Sequence, residues 1–105
     1  MGIKKHQKWL VDFYKQRNWY QYSSFVRINF LIEEVGELSR AVRAKKIGRD
    51  HPGEPNETLK EENDNLKEEL ADVMDQVLIL SDKLGIDIDS LIQQSENKLE
   101  NRFKK

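Results

Sequence analysis

The chain has 105 residues, 37% of them hydrophobic and 35% charged, with a formal net charge of -1 and no cysteine. That length suits one domain, residues 1–105, with a thin core under a polar surface. The charge balance gives no basic field for nucleic acid, the missing cysteines exclude disulfides and thiolate metal sites, and no apolar run approaches the ~20 residues of a membrane span.

Met1 to Lys8 is polar and basic with no apolar run behind it, so no signal peptide is expected and a cytoplasmic location fits. Residues 3–17 read as a first helix, with Ile3, Leu10 and Phe13 on one face and Trp9 and Tyr14 beside it. Trp9 and Phe13 are expected in the core. A loop rich in aromatics and amides follows, Asn18 to Ser24, in which Ser23 or Ser24 can cap the next helix.

The second helix runs from about Phe25 to Lys46. Its apolar residues Ile28, Leu31, Ile32, Val35, Leu38 and Val42 step at helical spacing. Gly48 suits its end, and His51-Pro52-Gly53-Glu54-Pro55 breaks any continuation. Thr58-Leu59-Lys60-Glu61 has the form of a capping box. The third helix then reaches about Leu84, with Leu66, Leu70, Val73, Val77, Leu80 and Leu84 as its stripe. Gly85 is a natural stop, and Asp87 or Asp89 can cap a fourth helix carrying Ile88, Leu91, Ile92, Leu99 and Phe103. No strand-like alternation is present. The pattern predicts an all-α fold, a four-helix bundle-like arrangement of two long antiparallel helices with N- and C-terminal helices. So small an apolar content points to an oligomer.

The carboxylates give this scaffold a chemistry. On the second helix the stripe centres near Val35 and Val42. Glu34 lies just off its edge, Glu37 further round on the same side, and Glu33 faces nearly away. On the third helix Glu69 and Asp72 flank the stripe, with Glu68 and Asp75 further out. Each helix thus holds an acidic pair three residues apart, and residues so spaced are neighbours. Clustered carboxylates raise one another's pKa unless a cation or Lys/Arg neutralises them. An oxygen-only set favours Mg²⁺ or Mn²⁺. Acidic helices are also commonly just solvated, and Arg40, Arg43 and Lys67 are at hand for pairing.

Glu33-Glu34-Val35-Gly36-Glu37-Leu38 has an E-E-x-x-E pattern and Glu69-Leu70-Ala71-Asp72 an E-x-x-D pattern. In this the chain resembles the MazG-like family of all-α nucleoside triphosphate pyrophosphohydrolases. The tail Asn97-Lys98-Leu99-Glu100-Asn101-Arg102-Phe103 looks like a reduced form of that family's N-x-K-F-x-x-R-F ending, with different spacing and Leu99 in place of Phe. The resemblance covers about Trp19 to Phe103. It implies Mg²⁺ ligation by Glu34, Glu37, Glu69 and Asp72, and hydrolysis of (deoxy)nucleoside triphosphates to the monophosphate and pyrophosphate. Glu33 and Asp75 are then candidates for supporting or orienting the attacking water. Lys98 and Arg102, four apart on one helical face, could receive charge on the leaving pyrophosphate, beside Asn97; a basic helix end satisfying its dipole explains them equally well. Trp19 could stack on the base, while an aromatic between helices is more often core or subunit interface, the reading favoured for Tyr20 and Tyr22. His6 and His51 have no spaced partner. The resemblance also implies dimers or tetramers. A phosphoribosyl-ATP pyrophosphohydrolase-like enzyme ranks lower, and a non-enzymatic helical oligomerisation or partner-binding module leaves the paired acids unexplained.

Overall fold

A computed structural model describes residues 2–47 and 58–104. The Pro/Gly break, Gly48 and His51 lie outside the described residues. Four helices follow in order: α1, Ile3–Gln16; α2, Ser24–Ile47; α3, Leu59–Lys83; α4, Ile88–Arg102. Among the described residues there is no strand. The all-α expectation holds.

Local chemistry sets the helix ends. Ser23 Oγ accepts from the Val26 N–H at 3.4 Å, so Ser23 is the cap of α2. The capping box forms as expected: Glu61 N–H donates to Thr58 Oγ1 at 3.1 Å and Thr58 N–H to Glu61 Oε1 at 2.9 Å. Gly85, at φ 70°, turns the chain out of α3 in the left-handed region that glycine favours. Of the two possible caps of α4, Asp87 is the one used, its Oδ2 accepting from Ser90 N–H at 3.2 Å.

α2 and α3 form an antiparallel hairpin. Arg27 bonds Gln76 near one end and Lys45 bonds Asn63 near the other, so the numbering runs in opposite directions across the pair. The face of α2 turned to α3 is not the expected one. Arg27 and Ala41 are buried and Leu31, Glu34 and Leu38 half-buried, whereas Ile28, Ile32, Val35 and Val42 are exposed. The stripe predicted to centre on Val35 and Val42 is therefore turned about one residue, or about 100°, away from the seam. On α3 the same shift exposes Leu70, Met74, Val77 and Leu84. In antiparallel helices a forward step rotates both partners toward the same side, so the two apolar stripes share one side of the hairpin. Glu37 and Asp72, three residues past Glu34 and Glu69, lie toward the other side.

α1 packs on α3 around Leu10, Val11, Leu78, Ile79 and Ile88, flanked by Tyr14 and Tyr20. Gln7 Nε2 donates to the Leu78 carbonyl at 2.8 Å. Phe13 is half-buried beneath the Arg17 guanidinium, but Trp9, expected in the core, is 57% exposed on the outer face of α1. Of α4 only Ile88 is buried. The radius of gyration is 17.1 Å, against about 13 Å for a compact chain of this length.

Candidate functional site

Glu34 sits on the α2–α3 seam because the helical repeat places it one step of seven after Arg27. Glu69 faces it from α3, and Glu37 lies one turn on from Glu34. Glu34, Glu37 and Glu69 each offer an oxygen within 4.8 Å of the others. Glu34 Oε2 and Glu69 Oε2 are buried and have no hydrogen-bond donor. Burial raises the pKa of Glu34, and the charges of Glu37, Asp72, Glu69 and Glu33 add to it. Burial likewise raises Glu69, reinforced by Glu37 and Asp72. Asp72 borders the trio; its pKa is also raised, by burial first and then by Glu68, Asp75 and Glu37. Among the described residues no ion pair joins Arg40 or Lys67 to these acids.

Buried carboxylate oxygens without donors are costly. A converging all-oxygen set, with one buried oxygen on each of Glu34 and Glu69 lacking a donor, is what a hard divalent cation fits. The residues present therefore suit the metal that the acidic motifs implied, with Glu34, Glu37 and Glu69 as the tight group and Asp72 at its margin.

The surrounding residues divide clearly. Glu33 is exposed, turned away as expected. Asp75 Oδ1 is 2.8 Å from His6 Nε2, so the histidine that seemed partnerless in sequence ties α1 to this acid. Trp19 is partly exposed and meets Phe13 and Tyr14 edge-on, at 6.1 and 5.5 Å between ring centroids. Tyr20 serves packing: its hydroxyl donates to Asp82, and burial with that bond pushes its pKa up to about 12. Asn97, Lys98 and Arg102 are all exposed on α4; Asn97 Oδ1 accepts from Gln93 Nε2 at 3.0 Å. Among the described residues no hydrogen bond or ion pair connects them to the acidic group of their own chain.

Sequence reasoning missed Arg27 and Gln76. Arg27 is buried in the seam, and its guanidinium lies over the rings of Phe30, Tyr14 and Tyr22 at 4.8, 5.3 and 5.7 Å. A lone cation inside the apolar run Phe25 to Ile32, seven residues before Glu34, was the available signal.

An all-α hairpin whose seam carries a converging carboxylate trio defines the class, and comparison with known families agrees. Residues 25–105 match the MazG nucleotide pyrophosphohydrolase domain, and the chain belongs to that family. It is 40% identical over 103 residues to the uncharacterized protein YvdC of Bacillus subtilis (strain 168), a match spanning 98% of this chain and 97% of that relative. No helix among the described residues is long and apolar enough to cross a membrane.

Proposed function

We propose that this protein hydrolyses (deoxy)nucleoside triphosphates to the monophosphate and pyrophosphate with Mg²⁺ as cofactor, clearing surplus or non-standard nucleotides. The observation that carries the reading is the pair of buried, donor-free oxygens on Glu34 and Glu69 beside Glu37, in a chain of the pyrophosphohydrolase family. Glu34, Glu37 and Glu69 hold the cation and Asp72 completes the set. A divalent cation supplies positive charge to the phosphate oxygens and an acidified water. Asp75, held by His6, accepts a proton from the attacking water, and Glu33 supports the cluster from outside. Trp19 stacks on the base. Lys98 and Arg102, beside Asn97, receive charge on the leaving pyrophosphate.

The apolar side of the hairpin bears on assembly. Ile32 of α2 is 62% exposed and Leu70 of α3 is 56% exposed, and α4 adds exposed Leu99 and Phe103. Such a face covers itself with a second copy, giving a homodimer or a homotetramer.

Incubation of the pure protein with a panel of nucleoside and deoxynucleoside triphosphates tests the function. Monophosphate and pyrophosphate are expected in equal amounts, dependent on Mg²⁺ and abolished by Glu37→Gln. Release of orthophosphate alone, or turnover that survives Glu37→Gln, overturns the assignment.

A further inference from the structure

Arg27 is 4% exposed, and no carboxylate pairs with it among the described residues. A guanidinium carries five N–H donors. Here Nη1 donates to Gln76 Oε1 at 3.2 Å and Nη2 to the Trp19 carbonyl at 3.3 Å, while the buried Nε has no acceptor. Burying a cation with spare donors is costly unless something accepts from it. Ring faces offset part of that cost, and the same rings shape a cavity. It measures about 300 Å³ and is lined by Tyr14, Trp19, Tyr22, Arg27, Phe30 and Gln76.

Four aromatic walls around a donor-rich cation fit a flat π-system bearing an acceptor oxygen. A phosphate fits poorly, because aromatic faces are electronegative and repel an anion. The volume takes a single base rather than a whole nucleoside triphosphate. Position supports the same ligand. Arg27 and Gln76 bond across the seam, and Glu34 and Glu69 lie seven residues further along α2 and back along α3. At 1.5 Å per residue that is about 10 Å, room for a sugar and the first phosphate between base and metal.

With the base stacked on Trp19 in this cavity, as proposed above, we infer that Arg27, oriented by Gln76, selects bases presenting a ring carbonyl over adenine, which has none. The inference rests on the nucleotide reading above and extends it to substrate class. Uracil, thymine, guanine and hypoxanthine place a carbonyl beside a ring N–H; cytosine offers one carbonyl.

The test needs neither metal nor turnover. Trp9→Phe leaves Trp19 as the one tryptophan, since the chain has two. In this background, with EDTA present, Trp19 fluorescence is titrated with uridine, adenosine and pyrophosphate. Uridine is expected to bind about tenfold or more tighter than adenosine, the scale of one hydrogen bond to a charged group. Pyrophosphate alone should leave the signal unchanged. Arg27→Lys should bring the two nucleosides close to parity. Gln76→Glu, which gives Arg27 an internal carboxylate, should do the same while raising the Tm, so loss of folding cannot explain the result. An undiminished uridine preference in both variants overturns the inference. So does absence of binding by either nucleoside at millimolar concentration, or an Arg27-dependent response to pyrophosphate, which marks an anion site. Failure of the enzyme reading shows separately, as a uridine preference intact in a protein that hydrolyses no triphosphate.

Discussion

His6 Nε2 lies 2.8 Å from Asp75 Oδ1, joining two residues 69 positions apart, and this bond is the point where α1 meets the acidic side of α3. Asp75 stands one turn beyond Asp72. The N-terminal helix therefore does more than cover Leu78 and Ile79; it fixes an acid next to the candidate cation site. His6→Ala should lower kcat several-fold with little change in KM, and cost about 1 kcal/mol of stability, the usual worth of a half-buried hydrogen bond. Asp75→Asn should lower kcat further at near-native Tm. Equal activity in wild type and Asp75→Asn would remove Asp75 from the mechanism.

The acidic trio makes opposite demands on stability and function. Glu34→Gln removes one of several repelling charges, so the metal-free protein should become more stable. The same change should abolish stabilisation by Mg²⁺. Thermal melts with EDTA and with saturating Mg²⁺, on wild type and variant, measure both. A variant less stable than wild type in EDTA would show that the cluster is satisfied without a cation.

pH dependence follows from the same charges. Glu34 and Glu69 are raised above their ordinary 4.5, and Asp72 above its ordinary 3.8. Between those ordinary values and the raised ones, the folded state holds more protons than the unfolded state. Stability from these groups therefore falls as pH rises through that window. In EDTA the Tm should climb on acidification from neutrality toward 4.5, the ordinary glutamate value. Below that, Glu61 and Asp87 take over: Thr58 holds the first below its ordinary value and Lys4 and Ser90 the second, and their contribution disappears as pH falls through those lowered values. Stabilisation by Mg²⁺ should fade over the acid limb, because protons compete for its ligands. A Tm in EDTA that falls steadily from neutral pH downward contradicts the assignment.

What the sequence disclosed was mostly local. The capping box at Thr58 and Glu61, the stop at Gly85 and the acidic pairs depend on residues within one turn, and all can be read from spacing. The seam could not be read that way. Period alone gives α2 an apolar arc, and the arc centred on Val35 is real, yet α3 meets the neighbouring face carrying Arg27, Glu34 and Ala41. Hydrophobic periodicity marks an apolar face; it does not say which face a neighbouring helix meets. Glu34 therefore reads as lying just off the apolar stripe although it lies within the seam, and Arg27 escapes notice because a buried cation contradicts a hydrophobic pattern. The bond between His6 and Asp75 leaves no trace in the sequence, since nothing local links residues on different helices.

The exposed face can be tested directly. Ile32→Lys and Val77→Lys put charges on the apolar side of α2 and α3 without touching the carboxylates. Light scattering should give wild type a multiple of 12.5 kDa and the double variant the monomer mass. The helical content should change little, because neither residue belongs to the buried cluster. A wild-type monomer at micromolar concentration would leave this face without its proposed cover.

The placement of α4 leads to the most specific prediction. Lys98 and Arg102 belong to the proposed pyrophosphate-binding set, yet α4 beyond Ile88 has no buried residue and makes no bond to the acidic group of its own chain among the described residues. The two cations are then expected to serve the site of a second copy. Arg102→Ala and Glu37→Gln proteins should each be inactive alone. Mixed after dissociation and reassembly, they form heterodimers in which one site combines an intact trio with an intact tail, while the other carries both lesions. Random pairing makes half the dimers mixed, so activity should return to about a quarter of wild type. If each tail served its own chain, every site would keep one lesion and mixing would restore nothing. The assay thus separates a shared site from a self-contained one with no structural measurement, and Lys98→Ala in place of Arg102→Ala should give the same recovery.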